Sequence, residues 1–290
     1  MDGIVVVGKA QGFTSMDCCA IIRRLAGEKK AGHTGTLDPN ASGVLPVCVG
    51  KATRLIEYMD LGPKIYVATA RLGIRTDSED IWGNVIEEGC GACKGQVRKA
   101  ERDDVELALS MFRGEIMQTP PMFSAIKIDG QRLYKLARQG VSVERKPRPV
   151  MIYETELLDF NYGAQEFSFR IKCGRGTYVR SICAEIGEKL GTGAVMSALV
   201  RTECCGYSLD DAQDIIELKE GRLQLAAKPL ESGITNLGRL EINDKESFLF
   251  LNGNPAWSEN LDPGEGIKAV YSGGRLLGII KNGIIDKVLK

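Results

Sequence analysis

The sequence predicts an α+β fold with a mixed, largely antiparallel central sheet flanked by helices, followed by a small β-rich segment. Strand-like and helix-like stretches intermix without the regular βαβ repeat that builds a parallel sheet. Two stretches, 150–160 and 165–173, flank a turn and suit a pair of antiparallel strands. Near residue 235 the chain changes to short apolar runs separated by turns. We therefore expect two domains, 1–234 and 235–290.

Apolar periodicity and capping residues define the individual elements. Thr14 and Ser15 offer an N-cap to the first helix, and Gly191 and Gly193 close the last helix of the larger domain. The prolines of QTPP, 118–121, require extended backbone because a proline disfavours helix in the residue before it. The remaining predictions are a buried apolar stretch at 44–49, strands at 4–7, 64–72, 247–251, 266–271 and 275–280, and helices at 16–26, 52–59, 104–112, 133–139 and 178–190.

Composition and charge narrow the classes of function. No apolar segment approaches the length of a membrane span, and the N-terminal residues do not resemble a signal peptide, so we expect a cytoplasmic protein without a membrane partner. The 38 basic residues balance the 38 acidic ones. The net charge of the whole chain therefore argues against a nucleic-acid partner. However, residues 126–150 contain seven Lys or Arg against two acidic residues. Such a segment is either a phosphate-contacting surface or a solvated charged face, and charge alone does not decide.

Cysteine spacing gives no clear metal or redox site. Cys90 and Cys93 form a lone CxxC among nine cysteines. A structural zinc ion would need a second pair of ligands, but Cys204 and Cys205 are adjacent and the single histidine, His33, lies in a different motif. We therefore expect reduced thiols and no bound metal.

The loop GHTGTLDPNASG, 32–43, places one aspartate, Asp38, between glycines. Its TGTL core resembles part of the aspartyl-phosphate ATPase signature, but Gly32 stands where that signature needs its aspartate, so phosphoryl transfer is set aside. The glycines would let another chain approach closely, which suits a displayed nucleophile. An aspartate before Pro39 is also common in simple turns, and the loop by itself favours a turn over a nucleophile.

Two further stretches contain residues that suit an aspartate-centred site. CGRGTYVR, 173–180, ends in Arg180, and an arginine beside an aspartate keeps the carboxylate ionised and oriented. Tyr66 lies on the predicted strand 64–72, where its ring could stack on a nucleobase. Taken singly, each residue favours a simpler interpretation: a surface cation for Arg180 and a half-buried tyrosine for Tyr66.

Together these motifs resemble the TruB-type tRNA pseudouridine synthases, bacterial enzymes that isomerise uridine 55 in the T-arm. The resemblance covers residues 3 to about 206, and one departure is Ala10, where the family usually has proline. It rests on six blocks in the family's order: GKAQGFTS (8–15), GHTGTLDPNASGVLPVCVGKATR (32–54), KIYVATARLGIRTDSEDIWG (64–83), GEIMQTPPMFSAIKIDGQRLYKLARQG (114–140), RGTYVRSICAEIGEKLG (175–191) and LVRTECCGYSL (199–209).

The resemblance implies a role for each matching position. Asp38 would be the nucleophile and Arg180 its partner. Tyr66 would stack on the target base and assist removal of the C5 proton. The RNA-binding positions would be Tyr178 and Leu199 in the uracil pocket, His33 as a wedge that enters the RNA, and Lys9, Arg132 and Lys135, the last two in an RNA-clasping insertion at about 114–150.

The resemblance also implies the reaction and its partners. The enzyme would convert uridine to pseudouridine in tRNA by flipping the base out of the T-loop, as a monomer with no cofactor, no metal and no obligatory protein partner. The C-terminal segment would be a small PUA-like domain. Two alternatives are an RNA-binding protein that keeps the fold without catalysis and the guide-RNA-dependent synthase subunit of archaea and eukaryotes. The intact Asp38, Tyr66 and Arg180 argue against the first, and the absence of long basic tails argues against the second.

Overall fold

The computed structural model describes residues 1–59, 61–88, 99–128, 130–259 and 261–289. The CxxC pair, Cys90 and Cys93, lies outside these ranges. The described strands are β1 (Gly3–Lys9), β2 (Ala31–His33), β3 (Ser42–Val49), β4 (Lys64–Leu72), β5 (Ile74–Thr76), β6 (Val85–Glu88), β7 (Gly114–Gln118), β8 (Lys127–Ile128), β9 (Gln131–Arg132), β10 (Arg148–Asn161), β11 (Glu166–Cys173), β12 (Ala194–Cys204), β13 (Tyr207–Ser208), β14 (Gln213–Asp214), β15 (Gly238–Glu241), β16 (Ile267–Ser272), β17 (Arg275–Lys281) and β18 (Ile284–Val288).

The helices follow the predicted order, with most boundaries shifted by a few residues. Within the described residues, none is long and apolar enough to cross a membrane. The α-helices are α1 (Ser15–Leu25), α2 (Ile56–Met59), α3 (Arg102–Ser110), α4 (Leu133–Arg138), α5 (Val179–Leu190), α6 (Ile215–Lys219) and α7 (Asp244–Leu251), and short 3₁₀ helices cover Gly50–Leu55, Leu209–Asp211, Leu230–Gly233 and Pro255–Ser258.

The chain divides into two compact units. The first comprises Met1–Asp38, Val44–Gly62 and Cys205–Lys290, and the second comprises Pro39–Gly43 and Pro63–Cys204. The boundary near residue 235 expected from the sequence falls inside the first unit, and that domain boundary remains a prediction.

In the first unit, β1 lies between β14 and β3, and β2 also pairs with β3. The β1–β14 pairing is parallel, whereas β2 and β3 are antiparallel. Helix α1 begins with a capping box, because the Thr14 hydroxyl accepts from the Asp17 amide while the Asp17 carboxylate accepts from the Thr14 amide. Its inner face, which includes Cys18 and Ile22, is fully buried.

The C-terminal part of the same unit has its own sheet and core. Strands β15 to β18 form a four-stranded sheet in sequence order. Trp257 and Phe250 pack edge to face at 5.3 Å in a cluster with buried aliphatic side chains of β16 and β17. This segment is β-rich, as the sequence predicts.

The second unit is built on an antiparallel sheet in the order β12, β4, β11, β10, β7. The start of β3 adds a parallel contact, since Ser42 and Gly43 pair with Val200 and Arg201 of β12. Helix α5 packs on β12, and α3 packs on β10. The sheet is therefore mixed and largely antiparallel, and the α+β prediction is confirmed.

The prediction of a strand at 247–251 is wrong, because these residues belong to helix α7. Asn243 caps that helix, and its side chain and that of Glu246 form a reciprocal capping box. The run SFLFL contains no β-branched residue, so the cap decides the local structure. The helix predicted at 52–59 is partly a 3₁₀ helix, with α2 beginning only at Ile56.

Candidate active site

The loop that carries Asp38 is held by hydrogen bonds within the first unit. The hydroxyl of Ser15, at the start of α1, donates to the Leu37 carbonyl at 3.1 Å and accepts from the Leu37 amide at 2.9 Å. Leu37 itself is 3 % exposed, whereas Asp38 is partly exposed. Leu37 is thus held by its backbone hydrogen bonds and by its buried side chain. Holding Leu37 restrains the backbone of the next residue, Asp38, whose carboxylate stays partly exposed.

The beginning of the same loop is fixed as well. His33 pairs with Val47 in the β2–β3 ladder, and the Thr34 amide donates to the Pro46 carbonyl. Cys205 donates from its thiol to the Thr34 hydroxyl at 3.3 Å. His33 is half-buried at the end of β2, a position from which it leads directly into the Asp38 loop.

Gly43 of this loop is required by backbone contacts inside the protein, whereas Gly32 approaches only the end of a flexible side chain. A Cβ on Gly43, whose φ is +109°, would lie 2.2 Å from the Arg201 carbonyl oxygen. A Cβ on Gly32 would lie 2.9 Å from the Ile56 side chain. The close approach inferred from the glycines is therefore real at these positions, but the approaching groups belong to the protein itself.

Tyr66, Arg201 and Leu199 lie on one face of the second unit's sheet. Tyr66 of β4 stands opposite Arg201 of β12, and Ala68 stands opposite Leu199. Directly opposed residues share a face, as do residues two apart along a strand. All three large side chains are buried, with Arg201 at 0 % exposure. Arg201 lies within the LVRTECC block and is not among the site residues expected from the sequence.

The Tyr66 hydroxyl is held in its protonated form. Burial raises the pKa of Tyr66 well above its usual value, and the neighbouring Arg201, which hydrogen-bonds the hydroxyl, offsets only part of that shift. A protonated phenol can donate a hydrogen bond or present its ring to a base. The same shift weighs against Tyr66 acting as the base that removes a proton.

Tyr178 and Arg180 lie at the start of helix α5. Gly176, with a φ of +85°, forms the turn that precedes the helix, and Tyr178 is its N-cap residue. The Tyr178 side chain makes no capping hydrogen bond and is half-buried. The turn therefore places Tyr178 at the N-terminus of α5.

Arg180 is buried and bound to carbonyl oxygens of two different segments. Its Nη1 donates to the Ser78 carbonyl at 2.8 Å, and its Nη2 donates to the Phe123 carbonyl at 2.9 Å. Asp80 lies 3.8 Å from Nη1. The planar guanidinium is thus oriented by a fork of contacts that a lysine ammonium would not reproduce.

The loop that supplies Ser78 and Asp80 is itself strained and anchored. Glu79 has a φ of +63°, which non-glycine residues rarely adopt. Its carboxylate accepts from the Ser181 hydroxyl at 2.6 Å, and its carbonyl accepts from the Met196 amide at 3.0 Å. Burial raises the pKa of Glu79, with the Ser181 hydrogen bond opposing that shift.

The three basic residues named from the sequence have different environments. Lys9 is 1 % exposed, and its ammonium donates to the Ala10 carbonyl at 3.0 Å. Arg132 and Lys135 are exposed, on β9 and α4, where Leu133 anchors the helix with 0 % exposure. Because Arg132 and Lys135 are exposed on a small hairpin and a short helix, their side chains are suited to contact phosphates.

The structure places the predicted residues in two groups. Lys9, His33 and Asp38 belong to the first unit, and the other six belong to the second: Tyr66, Arg132, Lys135, Tyr178, Arg180 and Leu199. The roles of all nine, and the pairing of Asp38 with Arg180, remain predictions. Across the described ranges, no three His, Cys, Asp or Glu side chains form a group that could hold a metal ion.

Comparison with known proteins identifies the family. The N-terminal domain of TruB family pseudouridylate synthases matches residues 23–179. The tRNA pseudouridine synthase B of Geobacillus kaustophilus is 43% identical over 273 residues, covering 90% of this chain and 94% of that protein. The same-named protein of Clostridium perfringens is 38% identical over 286 residues, covering 97% and 95%.

Solved structures agree on the fold. A crystal structure of a Cbf5-Nop10-Gar1 complex contains a chain that aligns with a TM-score of 0.73 at 25% identity, covering 99% of this chain and 85% of that one. The family match spans more than half of the sequence, and the curated relatives match nearly all of it. The chain therefore belongs to the TruB family of pseudouridylate synthases.

Proposed function

We propose that this enzyme converts uridine to pseudouridine at position 55 in the T-arm of tRNA, with Asp38 as the nucleophile. The observation that carries the proposal is the Asp38 loop. Ser15 fixes its backbone, and the carboxylate stays accessible, in a chain that is 43% identical to a tRNA pseudouridine synthase B. Because its relatives act on tRNA, we expect the reaction in the cytoplasm.

The chemistry requires a nucleophile and a path for one proton. The bond between N1 of uracil and C1′ of the sugar breaks, the uracil rotates, and C5 bonds to C1′. The C5 proton is lost to water, and N1, which no longer bonds the sugar, takes up one proton. A carboxylate that adds to C1′ or to C6 divides this exchange into easier steps and is released at the end. Atoms and electrons balance without an oxidant, so Asp38 needs only to be ionised and in contact with the reacting carbon.

The sheet face of the second unit supplies groups suited to a flipped base. Leu199 and the Tyr66 ring offer apolar and aromatic surface, and the Tyr66 hydroxyl is already engaged by Arg201. Stacking on such a surface compensates part of the few kcal/mol that flipping a base costs. In this proposal Tyr66 stacks on the uracil, Tyr178 and Leu199 line its pocket, and His33 enters the space the base leaves.

The clasp at about 114–150 would contact the RNA backbone. Arg132 and Lys135 are exposed there, and cations placed in this way bind phosphates without regard to sequence. Lys9 is buried in the first unit, so in this proposal it serves RNA binding indirectly, through the Ala10 carbonyl that its ammonium binds.

The likeness to the Cbf5-Nop10-Gar1 complex raises a second candidate, a synthase that works with protein partners. That likeness is at 25% identity, whereas the tRNA pseudouridine synthase B relatives reach 43%. We therefore propose an enzyme that acts alone, as a monomer.

The substrate site is tested by mapping pseudouridine in two RNAs, an unmodified tRNA and its isolated T-arm stem-loop. After incubation with the purified protein, we expect a single pseudouridine at position 55 in both RNAs, because recognition is expected to depend on the shape of the T-arm. A stem-loop with cytidine at that position serves as the control and should remain unmodified. Pseudouridine at another position, or none in the stem-loop, would contradict the T-arm assignment.

A further inference from the structure

Gln118, the last residue of β7, binds the backbone of Tyr178 with both polar atoms of its side chain. Its Nε2 donates to the Tyr178 carbonyl at 3.1 Å, and its Oε1 accepts from the Tyr178 amide at 2.8 Å. Gln118 is 1 % exposed, and its own backbone pairs with Arg148 in the β7–β10 ladder. The buried side-chain amide of Gln118, whose backbone is fixed in the sheet, therefore holds Tyr178, the N-cap residue of α5.

The residues that follow Gln118 bind the same end of α5. The Phe123 carbonyl accepts from Arg180 Nη2 at 2.9 Å. Between these two contacts, the Pro120 carbonyl accepts from Arg145 Nη1 at 3.0 Å. The segment 118–124 thus contacts both Tyr178 and Arg180, and Arg145 fixes its middle.

Gln118 is the side chain that binds the Tyr178 amide, whereas the Tyr178 carbonyl also accepts from the Ile182 amide of the helix, at 3.2 Å. The Tyr178 amide comes before the first helical residue, and the Tyr178 side chain provides no cap. Without Gln118, the Tyr178 amide would lose this hydrogen bond, and the Tyr178 carbonyl would keep, of these two bonds, only the one from the Ile182 amide, so the start of the helix would rearrange to compensate. Such a rearrangement would move the tyrosine ring and the guanidinium together.

We propose that Gln118 is a positioning residue for the isomerisation, acting through Tyr178 and Arg180. This inference rests on the proposed function, because Tyr178 and Arg180 must belong to the active site. Gln118 has no assigned contact with RNA. Its loss should therefore lower kcat and leave the KM for tRNA unchanged, since a displacement of about 1 Å at a site can cost roughly a hundredfold in rate.

A second glutamine provides a matched control. Gln165 forms a similar two-bond pair with the Ala100 backbone, accepting from the Ala100 amide at 2.8 Å and donating to its carbonyl at 3.2 Å. Its Nε2 also donates to the Tyr162 carbonyl at 2.9 Å. Replacing either glutamine by methionine removes such a pair while nearly keeping side-chain volume. We expect both Gln118→Met and Gln165→Met to lower the melting temperature, and only Gln118→Met to lower kcat, by about tenfold or more, with the KM for tRNA changed by less than about twofold.

A kcat of Gln118→Met within about twofold of wild type would overturn the positioning role, as would an equal loss of kcat in both variants. Gln118→Glu keeps the acceptor for the Tyr178 amide, and it serves if Gln118→Met fails to fold. It should fold and lose part of kcat, and full kcat would also overturn the proposal. A wild type without turnover on tRNA would instead overturn the proposed function and this inference with it.

Discussion

Replacing Asp38 by asparagine is expected to abolish pseudouridine formation while the protein still binds tRNA. An amide of nearly the same size leaves in place the hydrogen bonds between Ser15 and the Leu37 backbone that hold the loop. It cannot replace a carboxylate as nucleophile, so we expect turnover to fall by about a thousandfold or more. Single-turnover rates and filter-binding affinities for the same tRNA measure the two effects separately.

The control for Asp38→Asn is Asp17→Asn in the same unit. Asp17 is exposed and belongs to the capping box of α1, so this change should cost about 1 kcal/mol of stability or less and leave turnover within about twofold. Turnover by Asp38→Asn within about tenfold of wild type would remove Asp38 from the nucleophile role. Lost tRNA binding would mean that the loop, and not the chemistry, had failed.

Replacing Arg180 by lysine is expected to have the second largest effect. The guanidinium donates to the carbonyls of Ser78 and Phe123 and lies beside Asp80. A lysine keeps the charge but cannot span both carbonyl oxygens with the same planar geometry. We expect kcat to fall by about a hundredfold and the free energy of unfolding to fall by about 2 kcal/mol, because a charged hydrogen bond is lost in a buried site.

Arg170→Lys is the matched control for Arg180→Lys. Arg170 lies in the same unit but on the surface, where it pairs with Glu154 at 3.0 Å, and exposed pairs of this kind contribute little. Chemical denaturation and single-turnover kinetics should show Arg170→Lys close to wild type in both. An Arg180→Lys variant with wild-type kcat would show that the forked geometry has no part in the reaction.

Local signals in the sequence were sufficient for most of the fold. The capping residue Thr14, the glycine after α5 and the hairpin between β10 and β11 are each encoded by a few neighbouring residues, and the structure confirms them. Strand β12 was missed because its run AVMSALVRTEC is apolar over most of its length, and register shifts near Ala198 and Glu203 interrupt the alternation. The apolar run 247–251 of helix α7 suits a strand by itself, and the residues that make it helical, Asn243 and Glu246, precede that run.

The candidate site was less accessible to sequence reasoning. The site residues named from the motifs lie on the expected elements. The residues that position those side chains carry no recognisable sequence motif. Ser15, Gln118 and Arg201 act through partners 22, 60 and 135 residues away along the chain, respectively Leu37, Tyr178 and Tyr66. Only the folded sheet brings such pairs together, so no local pattern could have identified these contacts.

The most direct test of the central claim is release of tritium from unmodified tRNA that carries the label at C5 of its uridines. Pseudouridine formation removes that hydrogen, so release into water measures the isomerisation itself. We expect the purified protein alone to release one equivalent per tRNA, over many turnovers, without added protein or guide RNA. No release from any tRNA under these conditions would contradict the account.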